Sequence, residues 1–386
     1  MDRRTFLRRG GAAGAALLAG CSAEQTDSDP TTTDAATETA DGETTAADET
    51  TAAGTTVGGG TQSLVVATYS PFIDAPSTSP GAWVKETFES EFDAELIWQT
   101  PENEINFFIE RANAGVDVDA DVYVGLNTDM LIRVDENLDS GSLFAEAGDL
   151  EGASDVRESL RFDPMNRAVP FDTGYISLVW DATADDGEFV APETFDELLD
   201  PAYEGDLLAQ NPGSSATGRA FLLHTIAEKG TDGYLDYWQD LQDNGVQVLG
   251  SWSDSYSAYE GGEAPMVVSY STDQVFASQS DANMDRHQIR FVNDQGYANP
   301  EGMARFADAD NPDLARSFME FMLRSDVQGE IATRNVAFPA VTDAEVPEDY
   351  SQYAQEPPEA VTFTYDELSG NVGGWIDEWA RQIASS

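Results

Sequence analysis

From Leu64 onward, short apolar runs alternate with amphipathic stretches. Leu64-Val65-Val66-Ala67-Thr68-Tyr69 reads as a buried strand. Pro80-Gly81 opens a helix through Trp83, Phe88 and Phe92, and Glu95-Leu96-Ile97-Trp98 is a second strand. Ile105 to Ala114 has the helical period, with Phe107, Phe108 and Ala112 inward, and Asp121-Val122-Tyr123-Val124-Gly125 is a third strand. Further strands are predicted at Tyr175–Trp180, Leu207–Ala209, Val246–Leu249, Met266–Ser269 and Ile289–Val292. Helices are predicted from Thr194 to Leu199 and from Ser215 to Glu228, then over Asp313–Leu323, Asp326–Arg334 and Gly374–Ile383.

Strands that alternate with helices imply an α/β class with parallel strands. A chain of 386 residues exceeds what one hydrophobic core usually serves, so two lobes with a shared cleft are expected. Ligands of such sheets sit beyond the carboxyl ends of strands, at switch points. The loops after Tyr69, Leu208 and Tyr270 are therefore the expected site.

Charge narrows the function. Against 72 Asp and Glu stand 19 Lys and Arg, a formal net charge of -53. Such a field repels nucleic acid and anionic lipid. The carboxylates run along the whole chain, so they read as a solvated acidic surface rather than one acidic site. With only Lys85 and Lys229 as lysines, the composition resembles that of proteins from extreme halophiles. One cysteine and two histidines, His224 and His287, exclude an intramolecular disulfide and a Cys/His zinc set.

The N-terminus reads as a targeting segment over residues 1–21. Asp2-Arg3-Arg4-Thr5-Phe6-Leu7-Arg8 resembles a twin-arginine export signal. The apolar stretch that follows is too short to span a bilayer. It ends Leu18-Ala19-Gly20-Cys21, which resembles a lipoprotein cleavage box with Cys21 as the lipidated residue. Residues 22–61 are mostly Thr, Ala, Asp, Glu and Gly with no basic or aromatic residue, and are expected to form a disordered, acidic tether.

Candidate chemistry lies at strand ends. Tyr69 can stack on a ligand or be a satisfied core tyrosine. In Asn211-Pro212-Gly213-Ser214-Ser215, either serine can cap the next helix or hold a polar ligand atom. Trp252, in Gly250-Ser251-Trp252-Ser253-Asp254, stands at a strand-to-helix turn, with Ser253 or Asp254 as the expected cap. Tyr270-Ser271 stands likewise after Met266–Ser269. Three aromatics at three strand ends suit a flat, cationic ligand. No nucleophile elbow or zinc-protease helix is present, and His224 lies in an apolar helix, so an enzyme such as an anchored surface hydrolase is not expected.

These stretches resemble the thiamine-binding proteins of ABC importers, in the type II periplasmic binding protein superfamily. The resemblance runs from about Leu64 to Arg381 and includes Thr68-Tyr69-Ser70-Pro71-Phe72, Val169-Pro170-Phe171-Asp172-Thr173-Gly174-Tyr175, Gly250-Ser251-Trp252-Ser253 and Trp375-Ile376-Asp377-Glu378-Trp379. It implies a two-lobed fold with a ligand cleft, lobe 1 being residues 62–175 plus 296–386 and lobe 2 residues 176–295. It implies stacking by Tyr69, Trp252 and Tyr270, and polar contacts from Asn103, Glu104, Ser215 and Ser271, with Phe276 where the family usually has tyrosine. Val336 stands where a family tryptophan falls. The implied partners are thiamine or a related small cation, and an ABC permease with its ATPase; no cofactor is implied, and a monomer is expected. Polyamines, phosphonates, sugars and ferric ion are the rival ligands on the same scaffold; iron binders usually present adjacent tyrosines, whereas Tyr270 is followed by Ser271.

Overall fold

A computed structural model describes residues 62–75, 79–280 and 282–384. The Arg3-Arg4 signal, Cys21 and the 22–61 tether lie outside the described residues. The strands are β1 (Gln62–Ala67), β2 (Ala94–Gln99), β3 (Val122–Leu126), β4 (Ala168–Trp180), β5 (Leu207–Gln210), β6 (Gln247–Leu249), β7 (Met266–Tyr270), β8 (Gln288–Arg290), β9 (Gln295–Arg305), β10 (Phe338–Pro339) and β11 (Glu359–Val361). Eight of them pair in the order β2-β1-β3-β9-β4-β7-β5-β6, while β8 and β10 pair with β4 and β11 with β9.

Two sheets share β4. Its first half pairs with β9, from Ala168↔Ala304 to Tyr175↔Ala298. Its second half, Ile176 to Trp180, pairs with β7. β1, β2 and β3 are parallel neighbours, as are β5, β6 and β7, so each lobe has a parallel block. The expectation of parallel strands fails at the junction: β9 is antiparallel to both β3 and β4, and β4 is antiparallel to β7. Strands shared by two lobes must carry the chain out and back, which forces opposite directions.

The two-residue period of the strands sorts side chains onto two faces. In the first lobe, Val122 and Val124 join Leu64, Phe88, Phe171 and Phe318 on one side. Tyr123 joins Phe108, Leu131, Phe144 and Phe306 on the other. In the second, Leu207, Ala209, Met266 and Val268 meet Phe221 and Trp238. Leu208 and Val267 meet Tyr256 and Tyr259. The inner strands of each sheet are thus covered on both faces, which is why they read as nearly unbroken apolar runs.

The chain end departs from expectation. Residues up to 386 were expected in lobe 1, yet the helix Val372–Ile383 packs on the helix Tyr234–Asp243 of lobe 2. Trp379 meets Trp238 edge to face at 5.3 Å, and the Tyr234 hydroxyl donates to Glu378 at 3.1 Å. An amphipathic helix goes where its indoles find apolar surface, and the lobe 2 core supplies it. Thr194–Leu199 forms only a 3-10 turn at Glu197–Leu199. Among the described residues no helix is long and apolar enough to cross a membrane.

Candidate functional site

The shared strands bring two carboxylates face to face. In the β4–β9 ladder Asp172 stands opposite Glu301, next to a bulge between Pro170 and Asp172. Asp172 is 1% exposed. Neither has an ion-pair partner among the described residues. Instead, the Asn335 side-chain amide donates to Asp172 Oδ2 at 2.7 Å, and the Tyr69 hydroxyl donates to Glu301 Oε2 at 2.9 Å. Asn335 also donates to the Tyr69 oxygen at 3.1 Å. Burial pushes Glu301 up to about 7, with the Tyr69 bond opposing and Glu104 adding to the rise. Burial likewise raises Asp172, and the Glu301 charge raises it further while the Asn335 bond opposes. Two buried like charges resist ionising together.

Two tyrosines flank the pair. Each ring abuts a glycine, Tyr69 with one edge. A Cβ on Gly125 would stand 2.5 Å from the Tyr69 ring, and one on Gly174 would stand 2.5 Å from the Tyr270 ring. Gly125 also has φ +91, which L side chains rarely adopt. Thr217, near the start of the helix Ala216–Lys229, donates to the Tyr270 hydroxyl at 3.2 Å. Burial pushes Tyr270 up to about 12; the Thr217 bond opposes, and Glu301 and Asp172 add to the rise. Burial, Glu301 and Asp172 also raise Tyr69. Both hydroxyls therefore stay neutral, and that of Tyr69 donates to Glu301.

Around this centre the expected residues are placed as follows. Ser215 is buried and caps the helix Ala216–Lys229, accepting from Gly218 N at 3.3 Å. Ser271 is fully buried beside Tyr270, and its hydroxyl has no partner among the described residues. Asn103 and Glu104 are exposed, on the turn that leads into the helix Ile105–Asn113, with Glu104 at φ 47. Protein around its carboxyl raises Glu104; Arg219 opposes and Asp129 adds.

Trp252 stands apart from the two tyrosines. It begins the helix Trp252–Glu260, capped by Ser251 rather than the expected Ser253 or Asp254, because Ser251 Oγ is the group that reaches Asp254 N. Its indole N–H donates to Ser269 at 3.0 Å, and its ring stacks on Tyr256 at 4.8 Å. No ring contact joins Tyr69, Trp252 and Tyr270 to one another among the described residues. Phe276 packs on the Tyr256 side, edge to face at 6.1 Å. Val336 ends the helix Ser325–Asn335 in a left-handed conformation, φ 53, unusual for a β-branched residue. Its carbonyl accepts from Thr272 at 2.6 Å, a bond between the lobes.

Asp172, Glu301 and Asn335 were not expected at the site. A signal existed: Asp172 interrupts the apolar stretch Ala168–Trp180, where a carboxylate must be buried. A second polar link was also missed. Asp129, on the helix Thr128–Asn137, accepts from Arg219 at 2.7 Å and pairs with Arg133 at 3.2 Å. Arg219 and Asp129 are 8% and 9% exposed, so this is a buried ion pair joining a helix from each lobe.

Two α/β lobes hinged on shared strands, with a polar floor between them, are the architecture of a two-lobed binding protein. The sequence pattern of the family described as Bacterial extracellular solute-binding protein matches residues 120–358, and the chain belongs to that family. It is 28% identical over 321 residues to the thiamine-binding periplasmic protein of Escherichia coli (strain K12), covering 83% of this chain and 93% of that one. A solved periplasmic thiamin binding protein superposes with a TM-score of 0.71 at 27% identity, covering 83% of this chain and 96% of that one. The apo ferric ion-binding protein A of Pasteurella haemolytica shares the fold at a TM-score of 0.66 and 14% identity, covering 83% of this chain and 98% of that one.

Proposed function

We propose that this protein captures thiamine, or a thiamine phosphate, outside the cell and delivers it to an ABC permease. The observation that carries the reading is the Asp172–Glu301 pair: two facing carboxylates with no basic partner among the described residues, between tyrosines whose rings abut glycines. A site that keeps unneutralised negative charge out of water is unstable alone and complete with a cation. The thiazolium of thiamine is a permanent cation in a flat ring, suited to Tyr69 and Tyr270. Its aminopyrimidine has the edges that Ser271, Ser215 and the Asn103-Glu104 turn can address. Closure of the lobes would bring Trp252 and Phe276 against the ligand. The thiamine-binding relatives support this ligand over the others. In this reading residues 1–21 direct twin-arginine export, Cys21 carries the lipid, residues 22–61 are the tether, and the protein acts as a monomer in high salt.

Calorimetry of the purified protein in molar KCl is the test. Thiamine should bind tightly, and an isostere whose thiazolium is replaced by a neutral ring should bind at least tenfold more weakly. Equal affinity for the two would remove the cation from the argument; binding of neither would end the ligand assignment.

A further inference from the structure

Behind Trp252 lies a buried polar triad that plays no part in the site so far. Asp273 opens the helix Asp273–Gln279, three residues after Tyr270. Its Oδ1 accepts from the Tyr256 hydroxyl at 2.5 Å, and its Oδ2 lies 2.8 Å from Nδ1 of His287. Tyr256, Asp273 and His287 are 5%, 5% and 6% exposed. With Nδ1 facing a carboxylate, the imidazole presents an N–H there, so Asp273 accepts from two donors at once. Three polar groups with their bonds made to one another in a dry setting are rigid, because any rotation leaves a buried group unpaired.

That rigidity reaches Trp252. The Tyr256 ring lies 4.8 Å from the indole at an interplanar angle of 25°, so it covers one indole face. The bond from the indole N–H to Ser269, 3.0 Å, fixes rotation within the plane of the stack. One face is thus occupied and one edge is tied, which leaves a single face for another molecule. A phenol that donates to a carboxylate is also richer in electron density than a free phenol, which strengthens the pull of the stacked rings on a cation.

We propose that Asp273, Tyr256 and His287 are positioning residues that hold the Trp252 indole with one face presented to the ligand. The proposal rests on the reading above that Trp252 contacts a cationic ring. A packing role alone would leave the indole where it is when one hydroxyl is removed.

The experiment uses protein labelled with 5-fluorotryptophan and ¹⁹F NMR. Seven tryptophans give seven lines, and the Trp252 line is the one missing from Trp252→Phe. Tyr256→Phe keeps the stacked ring and deletes only the bond to Asp273; Asp273→Asn keeps an acceptor and deletes the charge. In both, the Trp252 line should shift or broaden while the six others stay, which also shows that the variants are folded. Thiamine affinity should fall about tenfold in Tyr256→Phe, the scale of one hydrogen bond to a charged group, and should not fall further when Tyr256→Phe is added to Trp252→Ala. An unmoved Trp252 line in Tyr256→Phe, or losses that add across the two substitutions, overturns the proposal. Wild-type protein that ignores thiamine while its Trp252 line moves in Tyr256→Phe defeats the ligand assignment and leaves the positioning role standing.

Discussion

Replacing Glu301 by Gln should make the protein more stable and worse at its task. Glu301 is held at about 7 instead of its ordinary 4.5. The native carboxyl binds its proton more tightly than the unfolded one, so folding is favoured most below pH 4.5. Stability then falls as pH rises through the unfolded value, and levels off above about 7. The accumulated loss at pH 8 is roughly 3 kcal/mol. Glutamine keeps an acceptor for the Tyr69 hydroxyl and carries no charge, so most of that loss should be recovered. For a domain of this size the expected rise in Tm at pH 8 is roughly 4–8 °C, with little difference at pH 4. Binding should move the other way. A cation placed beside one charge fewer loses about 1.5–3 kcal/mol, a ten- to hundredfold weaker thiamine Kd. The assay is a pair of thermal scans at pH 4 and pH 8 in the same molar KCl, with calorimetry at pH 8. A variant less stable than wild type at pH 8 with unchanged affinity would show that Glu301 is structural, and the charge argument would fail.

Four further outcomes follow from other features. Gly174→Ala places a methyl group 2.5 Å from the Tyr270 ring and should weaken thiamine binding by about tenfold or more; wild-type affinity would mean that Gly174 does not set the ring. Arg219→Met leaves Asp129 with the more distant Arg133 and should lower stability by about 2–4 kcal/mol, and adding Asp129→Asn should restore part of it; additive losses in urea unfolding would deny the coupling. With a net charge of -53, thermal midpoints should climb as KCl rises from 0.1 M to 2 M, and a flat series would refute the reading of the surface as salt-adapted. Cys21→Ser should shift the protein from the membrane fraction to the medium, an outcome that persistent membrane retention would contradict.

Among the strands that could be read from the chain, β1, β3, β5 and β7 are the plainest, because burial makes them apolar throughout or nearly so. β9 and the first half of β4 could not. Gly296, Asn299, Pro300, Glu301 and Gly302 interrupt the one, and Pro170, Asp172, Thr173 and Gly174 the other. Pairing holds these segments extended: β9 has β3 on one side and β4 on the other, and tertiary context overrides propensity. The same blindness hid half of the site. Tyr69 and Tyr270 are legible as aromatics where strands end. That Asp172 faces Glu301 depends on register between strands far apart in the chain, which no local pattern encodes. The final helix was misassigned for a similar reason: its apolar face is plain, but the surface it covers belongs to a segment far upstream.

The shared strands have a mechanical consequence. The chain leaves the first lobe on β4 and comes back on β9, and the two are bonded to each other from Ala168↔Ala304 to Tyr175↔Ala298. A ladder of that length resists sliding of one strand along the other, so any motion of the lobes would bend the pair as one ribbon instead of shearing it.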